Sequence, residues 1–150
     1  MDEMELCKRF ARRIRIFQGL EPSEISDILR RGKLFRFEAG QIIFHEGTLG
    51  TSIFIVLDGE VRIYSKSTFI GKCRAGDAFG EMAVLNHRPR MASATAHTTS
   101  MVFTLAESEL NQILEKRVAV RILLNIIHVL SERLENANLH IAEHRLVRVE

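Results

Sequence analysis

The sequence has few cysteines and no long hydrophobic run, and each absence excludes a class of protein. Two cysteines in 150 residues, Cys7 and Cys73, cannot form a disulfide framework and do not form a metal-type pair, which favours a reducing compartment. The most apolar run, residues 122–130, is interrupted by Asn125 and His128 and is far shorter than the ~20 residues that a membrane span requires. The charged amino terminus has no apolar signal core. We therefore expect a cytoplasmic protein with no membrane partner.

The chain also lacks an excess of either charge and every common catalytic signature. It has 21 lysines and arginines against 19 acidic residues, so the strongly basic face of a dedicated nucleic-acid binder is not indicated. A basic cluster over residues 8–15 is interpreted as the solvated face of a first helix. No nucleophile elbow, Walker loop or dinucleotide fingerprint is present. Without such a signature we do not expect an enzyme. His140 and His144 lie one helical turn apart without a third ligand, so we expect no metal site.

Glycine divides the chain into a turn-rich middle and a helical end. All nine glycines lie between Gly19 and Gly80, and none follows. Helical spacing of apolar residues predicts an amphipathic helix over residues 4–17 and a second, short helix after Pro22. From residue 34 to residue 105 the period is two, in short strands separated by glycines, with a last strand over residues 95–105. The sequence therefore predicts one domain over residues 1–150, mainly β with flanking helices.

Two helices are predicted to follow, over about residues 108–115 and 118–140. The longer one has two apolar stripes. The first contains Ile122, Ile126 and Val129, and the second runs from Leu123 to Ile141 in alternating steps of four and three. One stripe is enough to pack against the strands, and the rhythm of the second is typical of a coiled-coil seam. We interpret this helix as the interface of a homodimer; the alternative is that both stripes pack within one domain.

The segment over residues 76–96 contains the residues best suited to bind a ligand. Residues 79–83 predict one short helical turn after a strand, and Gly80 would let a ligand approach the backbone closely. Arg90 follows nine residues after Glu81. A guanidinium can donate two parallel hydrogen bonds to a phosphate, and a carboxylate can accept hydrogen bonds from a ribose hydroxyl. Such a pair favours a ribose phosphate, although a lone Glu/Arg pair is more often a surface salt bridge.

Several motifs in order resemble the cyclic-nucleotide-binding domain family, which includes catabolite activator proteins, regulatory subunits of the cyclic-AMP-dependent kinase and cyclic-nucleotide-gated channels. The resemblance covers about residues 15–138. It rests on the Phe-Gln-Gly-Leu of residues 17–20 with Glu24, the strand pair of residues 37–47, the strand–glycine–strand hairpin of residues 53–63, the Phe-Gly-Glu-Met-Ala of residues 79–83, and Pro89-Arg90. Each motif alone is weak, and the full series in this order is specific.

The resemblance implies a double-stranded β-helix, a jelly-roll-like β-roll of about eight strands, with N-terminal helices and a long C-terminal helix. It implies that Glu81 binds the ribose 2′-hydroxyl and that Arg90 binds the cyclic phosphate, with backbone N–H groups near Ala83 and Met91 completing the phosphate site. The end of the long helix would cover the base. The implied ligand-binding residues are Phe79, Gly80, Glu81, Met82, Ala83, Arg90, Met91, Ala92, Ala137 and Asn138.

Met91 departs from the family pattern, because the residue after the arginine is usually serine, threonine or alanine. Its thioether is bulkier and cannot donate a hydroxyl hydrogen bond to the ligand. Too few residues follow the predicted helix for a winged helix-turn-helix, so no direct DNA binding is expected. The sequence thus predicts a sensor that binds cyclic AMP, or cyclic GMP, and signals to an unidentified protein partner through helix movement. The alternatives are a ligand-free β-roll scaffold and, more remotely, a small β-barrel metalloenzyme.

Overall fold

The computed structural model describes residues 3–113 and 116–149 and contains eight strands and five α-helices in that part of the chain. Helices α1 and α2 and a short 3-10 helix precede the strands, α3 interrupts them, and α4 and α5 follow. The α-helices are α1 (Glu3–Ala11), α2 (Pro22–Arg31), α3 (Glu81–Asn86), α4 (Glu107–Gln112) and α5 (Lys116–Val149), and the 3-10 helix is Arg15–Phe17. The strands are β1 (Lys33–Phe37), β2 (Ile42–Phe44), β3 (Ser52–Asp58), β4 (Glu60–Ser65), β5 (Thr68–Arg74), β6 (Ala78–Phe79), β7 (Ser93–Ala96) and β8 (Ser100–Ala106).

The strands form two antiparallel four-stranded sheets that face each other. The first sheet has the order β1-β8-β3-β6 and the second the order β2-β7-β4-β5. Each sheet combines strands from both halves of the segment, so the chain winds from one sheet to the other as a β-roll. This confirms the predicted fold class of a mainly β domain with flanking helices and a long C-terminal helix.

Two apolar cores lie on the two faces of the first sheet. Because side chains alternate along a strand, Ile55 and Leu57 of β3 face the helices, and Val56 between them faces the second sheet. The helical core adds Phe103 of β8 and residues of α2 and α5. The first sheet is therefore buried on both sides, which explains the nearly continuous apolar run in β3.

Four predicted element bounds differ from the structure. The helix expected over residues 4–17 ends at Ala11, and a 3-10 turn follows, because the chain docks against the turn at Gly76: the Arg15 N–H donates to the Gly76 carbonyl at 3.0 Å. Gly76 has φ +96°, and a Cβ there would lie 2.1 Å from the Arg13 carbonyl oxygen. That contact requires glycine.

The expected last strand over residues 95–105 is instead two strands in different sheets, β7 and β8, separated by a turn. The predicted face of Met101, Phe103 and Leu105 on β8 is correct, since all three belong to or pack against the helical core. The long helix extends to Val149 rather than to about residue 140. The predicted helix over about residues 108–115 ends at Gln112, and residues 114 and 115 lie outside the described part of the chain.

The two stripes of α5 have different surroundings. Ile122, Ile126 and Val129 are buried against the helical core and the 3-10 segment, as predicted. In the second stripe Leu123, Ile127 and other large apolar side chains are about half exposed. Leu130 of the same stripe packs against the helical core, so the second stripe is partly buried within the domain and partly exposed. No helix in the described residues combines the length and apolarity needed to cross a membrane.

Candidate functional site

Helix α3 and the segment that leads to β7 form one wall of a cavity of about 360 Å³ in the roll. Helix α3 begins after Gly80, whose φ of +77° is left-handed and reverses the chain at the end of β6. Glu81 is the first residue of α3, and Arg90 follows the helix three residues before β7. The short helix predicted from residues 79–83 is thus present, and the sharp turn at Gly80 directs Glu81 into the cavity.

Arg90 is buried, with 5% of its surface exposed, and its guanidinium reaches the inside of the roll. Its Nη1 donates to the Gly80 carbonyl at 2.6 Å and its Nη2 donates to the Ser52 carbonyl at 2.8 Å. The guanidinium carbon also lies 4.4 Å from the centre of the Phe44 ring and 5.3 Å from that of Phe54. Two carbonyl dipoles and two ring faces hold this side chain in one position.

No carboxylate in the described residues lies within 4 Å of a nitrogen of Arg90. Burial lowers the pKa of Arg90, and the charge of nearby Glu81 opposes that shift. A guanidinium keeps its proton under these conditions because its ordinary pKa is so high. The cavity therefore contains a buried positive charge whose hydrogen-bond partners among the described residues are all neutral, and an anion beside it would be stabilised.

Two glycines make room for Arg90. A Cβ at Gly80 would lie 2.5 Å from Arg90 Nη1, and a Cβ at Gly50 would lie 2.5 Å from Arg90 Cζ. Real side chains do not tolerate either separation. Gly50 and Ser52 come from the turn and strand before the hairpin, about forty residues earlier in the sequence than Arg90. Sequence analysis did not identify them, because nothing in the local pattern links that segment to residue 90.

Glu81 is also buried, with 4% of its surface exposed, and its partner comes from α5. Arg133 Nη1 donates to Glu81 Oε1 at 2.9 Å, and Arg133 Nη2 donates to the Ala78 carbonyl at 2.9 Å. One guanidinium thus joins the long helix both to β6 and to the first residue of α3. Glu81 Oε2 accepts no hydrogen bond from the described residues, so the carboxylate keeps an acceptor for a hydroxyl group of a ligand.

The rest of the cavity wall is mainly apolar. Ile63 and Ile70 line the side formed by the second sheet, and Met82 and Met91 lie near the opening. Cys73 also lines the cavity, and burial raises the pKa of its thiol to about 12, so the group is neutral at physiological pH. A hollow of this size with an apolar wall and a few charged groups suits a small organic anion.

The structure brings eight of the ten predicted site residues together. These are Phe79, Gly80, Glu81, Met82, Ala83, Arg90, Met91 and Ala92. Ala137 and Asn138 are exposed and do not line this cavity. The reason is that α5 reaches the cavity at Arg133, one turn earlier, and the side chains of residues 134–142 are exposed. In this position of α5 neither Ala137 nor Asn138 contacts the cavity, and base contacts by these two residues stay a prediction.

Within residues 3–113 and 116–149, no three histidine, cysteine, aspartate or glutamate side chains are grouped so that they could hold an ion. The side chain of His144 lies outside the described set.

Comparison with known proteins connects this geometry to a ligand class. The family model described as "Cyclic nucleotide-binding domain" matches residues 34–117. A cAMP-dependent protein kinase regulatory subunit from Hypocrea atroviridis is 32% identical over 109 residues, which are 73% of this chain and 24% of that protein. The potassium/sodium hyperpolarization-activated cyclic nucleotide-gated channel 2 of Mus musculus is 27% identical over 115 residues, which are 77% of this chain and 13% of the channel.

A solved structure gives the same result. The crystal structure of the Thermus thermophilus catabolite activator protein superposes with a TM-score of 0.74 at 27% identity, covering 84% of this chain and 61% of that one. The chain spans a quarter or less of the length of the kinase subunit and the channel. The likeness therefore concerns one domain of these larger proteins.

Proposed function

Because the chain belongs to the cyclic nucleotide-binding domain family, we propose that it binds cyclic AMP in the cavity between Glu81 and Arg90 and reports the binding through α5. The observation that carries this proposal is the buried guanidinium of Arg90, which forms no ion pair with a carboxylate of the described residues. A cyclic phosphate has one negative charge and would supply the missing partner. The names of two relatives, one with cAMP and one with cyclic nucleotide in its name, support the ligand class.

In the proposed complex each polar group has one role. Arg90 donates to the cyclic phosphate with the N–H groups that the two backbone carbonyls leave free, since a guanidinium has five donors. Glu81 accepts the ribose 2′-hydroxyl at Oε2 while Oε1 stays on Arg133. The base lies against Ile63, Ile70 and the methionines, where apolar atoms favour adenine, with fewer polar groups to desolvate than guanine. Cyclic GMP is the weaker alternative.

Arg133 gives the site a physical connection to α5. The ribose and the long helix share one carboxylate, so a ligand that reorients Glu81 changes the hydrogen bond that docks α5 on the roll. The helix moves only if the ligand binds its two positions with different affinity. Further back, Asn125 Nδ2 donates to the Ile16 and Gln18 carbonyls at 3.0 and 2.9 Å, so movement is expected beyond Asn125 rather than before it.

We further propose that the exposed stripe of α5 is the seam of a homodimer. Ile127 and Leu134 are 58% and 63% exposed, and they lie seven residues apart on the same side of the helix. Half-exposed leucines and isoleucines in a row are stabilised by a second copy of the same face. A separate protein partner would then receive the signal from the paired helices. We place the chain in the cytoplasm, because its two cysteines form no disulfide framework and its cavity thiol is free.

Thermal unfolding with and without nucleotides tests the proposal. A ligand at 100 times its dissociation constant stabilises the folded state by about 2.7 kcal/mol, which raises the Tm of a domain of this size by roughly 5–10 °C. We expect that shift with cyclic AMP, a smaller one with cyclic GMP and none with 5′-AMP, whose phosphate has a second negative charge and is not held in the ring. No shift with any nucleotide at millimolar concentration would contradict the proposal.

The second candidate is a β-roll scaffold that binds no nucleotide. One observation favours it: Arg90 and Glu81 already have protein partners, namely two carbonyls and Arg133. In a scaffold these contacts would serve only to join α3, β3 and α5. The thermal measurement separates the two candidates, since a scaffold has the same Tm in every nucleotide.

A further inference from the structure

A second hollow of about 630 Å³ opens at another end of the roll, and nothing in the proposed function uses it. We call it the aromatic groove and define it by Phe35, Phe37, Ile43 and Phe54 at its base, with Arg31, Lys33 and Glu109 among its other lining residues. It lies on the inner face of the first sheet. Lys33 pairs with Thr104 and Ser52 pairs with Ala106 in the strand register, which brings these four lining residues to one end of the sheet.

The base of the aromatic groove is apolar and partly open to solvent. Phe35 is 44% exposed, and the Phe35 and Phe37 ring centres are 6.3 Å apart at 35° to each other. Side chains of this kind normally turn towards a core or a ligand, because each exposed ring loses the favourable free energy of burial. A flat ring or an acyl chain laid along these rings would recover it.

The charges around the groove are unequal, and this selects the sign of the ligand. Arg31 is paired, with Nη1 at 3.5 Å from Glu109 and Nε at 3.6 Å from Asp27. No carboxylate oxygen in the described part of the chain lies within 4.0 Å of the Lys33 ammonium nitrogen, the limit for an ion pair. The exposed Lys33 ammonium group therefore lies beside an apolar surface with no ion-pair partner among the described residues, an arrangement that suits a molecule with one negative charge and an apolar body.

The aromatic groove and the nucleotide cavity share a thin wall. Phe54, at the base of the groove, stacks on Phe79 of the cavity at 5.3 Å and contacts Phe44 at 5.4 Å. Ser52, also in the groove, supplies the carbonyl that accepts from Arg90 Nη2. A ligand that displaces Phe54 or Ser52 therefore changes two of the contacts that hold the Arg90 guanidinium.

We propose that the aromatic groove binds an apolar monocarboxylate, with its carboxylate on Lys33 and its body on the phenylalanines, and that its occupancy changes nucleotide affinity at Arg90. The second half rests on the proposed function, and the first half does not. Because binding energies are linked, nucleotide must change carboxylate affinity by the same factor.

Titration calorimetry with decanoate, in the absence of nucleotide, tests the first half. We expect decanoate to bind saturably, with a submillimolar dissociation constant. Decylammonium has the opposite charge and should not bind. Lys33→Glu should weaken decanoate binding about tenfold or more, since it replaces an attraction by a repulsion. Lys8→Glu makes the same charge change on the exposed side of α1 and should leave it unaltered. Phe35→Ser, at a half-exposed position, should weaken binding without unfolding the protein.

Absence of saturable decanoate binding, or equal binding by the Lys33 and Lys8 variants, would overturn the proposal that the aromatic groove binds a carboxylate. For the second half, cyclic AMP affinity is measured with and without saturating decanoate, and a change of about threefold or more is expected. Unaltered cyclic AMP affinity would overturn the coupling alone. If decanoate binds and no nucleotide does, the groove stands and the proposed function fails, so the two failures are distinguishable.

Discussion

Replacing Arg90 by alanine should abolish most nucleotide binding, and the structure gives the size of the effect. Two of the five guanidinium donors are used by the Gly80 and Ser52 carbonyls, which leaves donors for two hydrogen bonds to a phosphate. Each hydrogen bond to a charged group contributes about 1.5–3 kcal/mol. Their combined loss of about 3–6 kcal/mol corresponds to a roughly 10²- to 10⁴-fold weaker affinity, because each factor of ten is about 1.4 kcal/mol.

The assay is calorimetric titration of cyclic AMP into the parent protein and matched variants. Arg90→Lys retains the charge without the planar fork and should lose only about ten- to a hundredfold. Arg88→Ala removes an exposed arginine two residues away and should bind like the parent. The alanine variant also loses the two carbonyl contacts, so its Tm is measured first, and the lysine variant remains informative if it does not fold. Affinity of Arg90→Ala within threefold of the parent would refute the phosphate assignment.

Three further outcomes are expected. Glu81→Gln should lower the affinity for cyclic AMP about tenfold, less than Arg90→Ala does, as measured by calorimetry. The same variant should bind 2′-deoxy cyclic AMP as the parent protein does, and an equal loss of affinity for both nucleotides would argue against ribose recognition. Replacing Ile127 and Leu134 by glutamate should give a monomer of unaltered Tm by light scattering, and a dimeric double variant would exclude this seam. The hydrogen bond from Arg117 holds the pKa of Glu24 below its usual 4.5, so Glu24 stabilises the fold above that value and less as pH falls through its lowered pKa. Glu24→Gln should therefore flatten the acid side of the Tm–pH profile, and an unaltered profile would contradict this linkage.

The fold was largely predictable because its signals are local. The clustering of glycines, the change of apolar period near residue 34 and its return to helical spacing after residue 106 follow from the geometry of turns, strands and helices. The errors lie where tertiary contacts decide the backbone. Docking at Gly76 ends the helix expected to continue to residue 17, and residues 95–105 divide between two sheets because each half has a different partner strand.

The candidate site was predictable only along one segment. Residues 79–92 contain both charged groups, so spacing and family resemblance were sufficient to find them. Gly50, Ser52 and Arg133 belong to other elements, and no local pattern marks them as neighbours of that segment. Ala137 and Asn138 were placed by matching the long helix to a family position, and in this structure the helix has already passed the cavity at those residues.

By itself the sequence determined the order and type of the elements, the apolar stripes of α5 and the presence of a glutamate and an arginine nine residues apart. These properties depend on backbone preference and on the spacing of residues that are close along the chain. Tertiary structure alone decided that Arg90 is buried against two rings and two carbonyls, that Arg133 pairs with Glu81, and that Lys33 lies beside a second hollow without an ion-pair partner in the described part of the chain. The buried charges of Arg90 and Glu81 acquire their roles only when folding removes water and brings distant segments within a few ångströms, which spacing along the chain does not reveal.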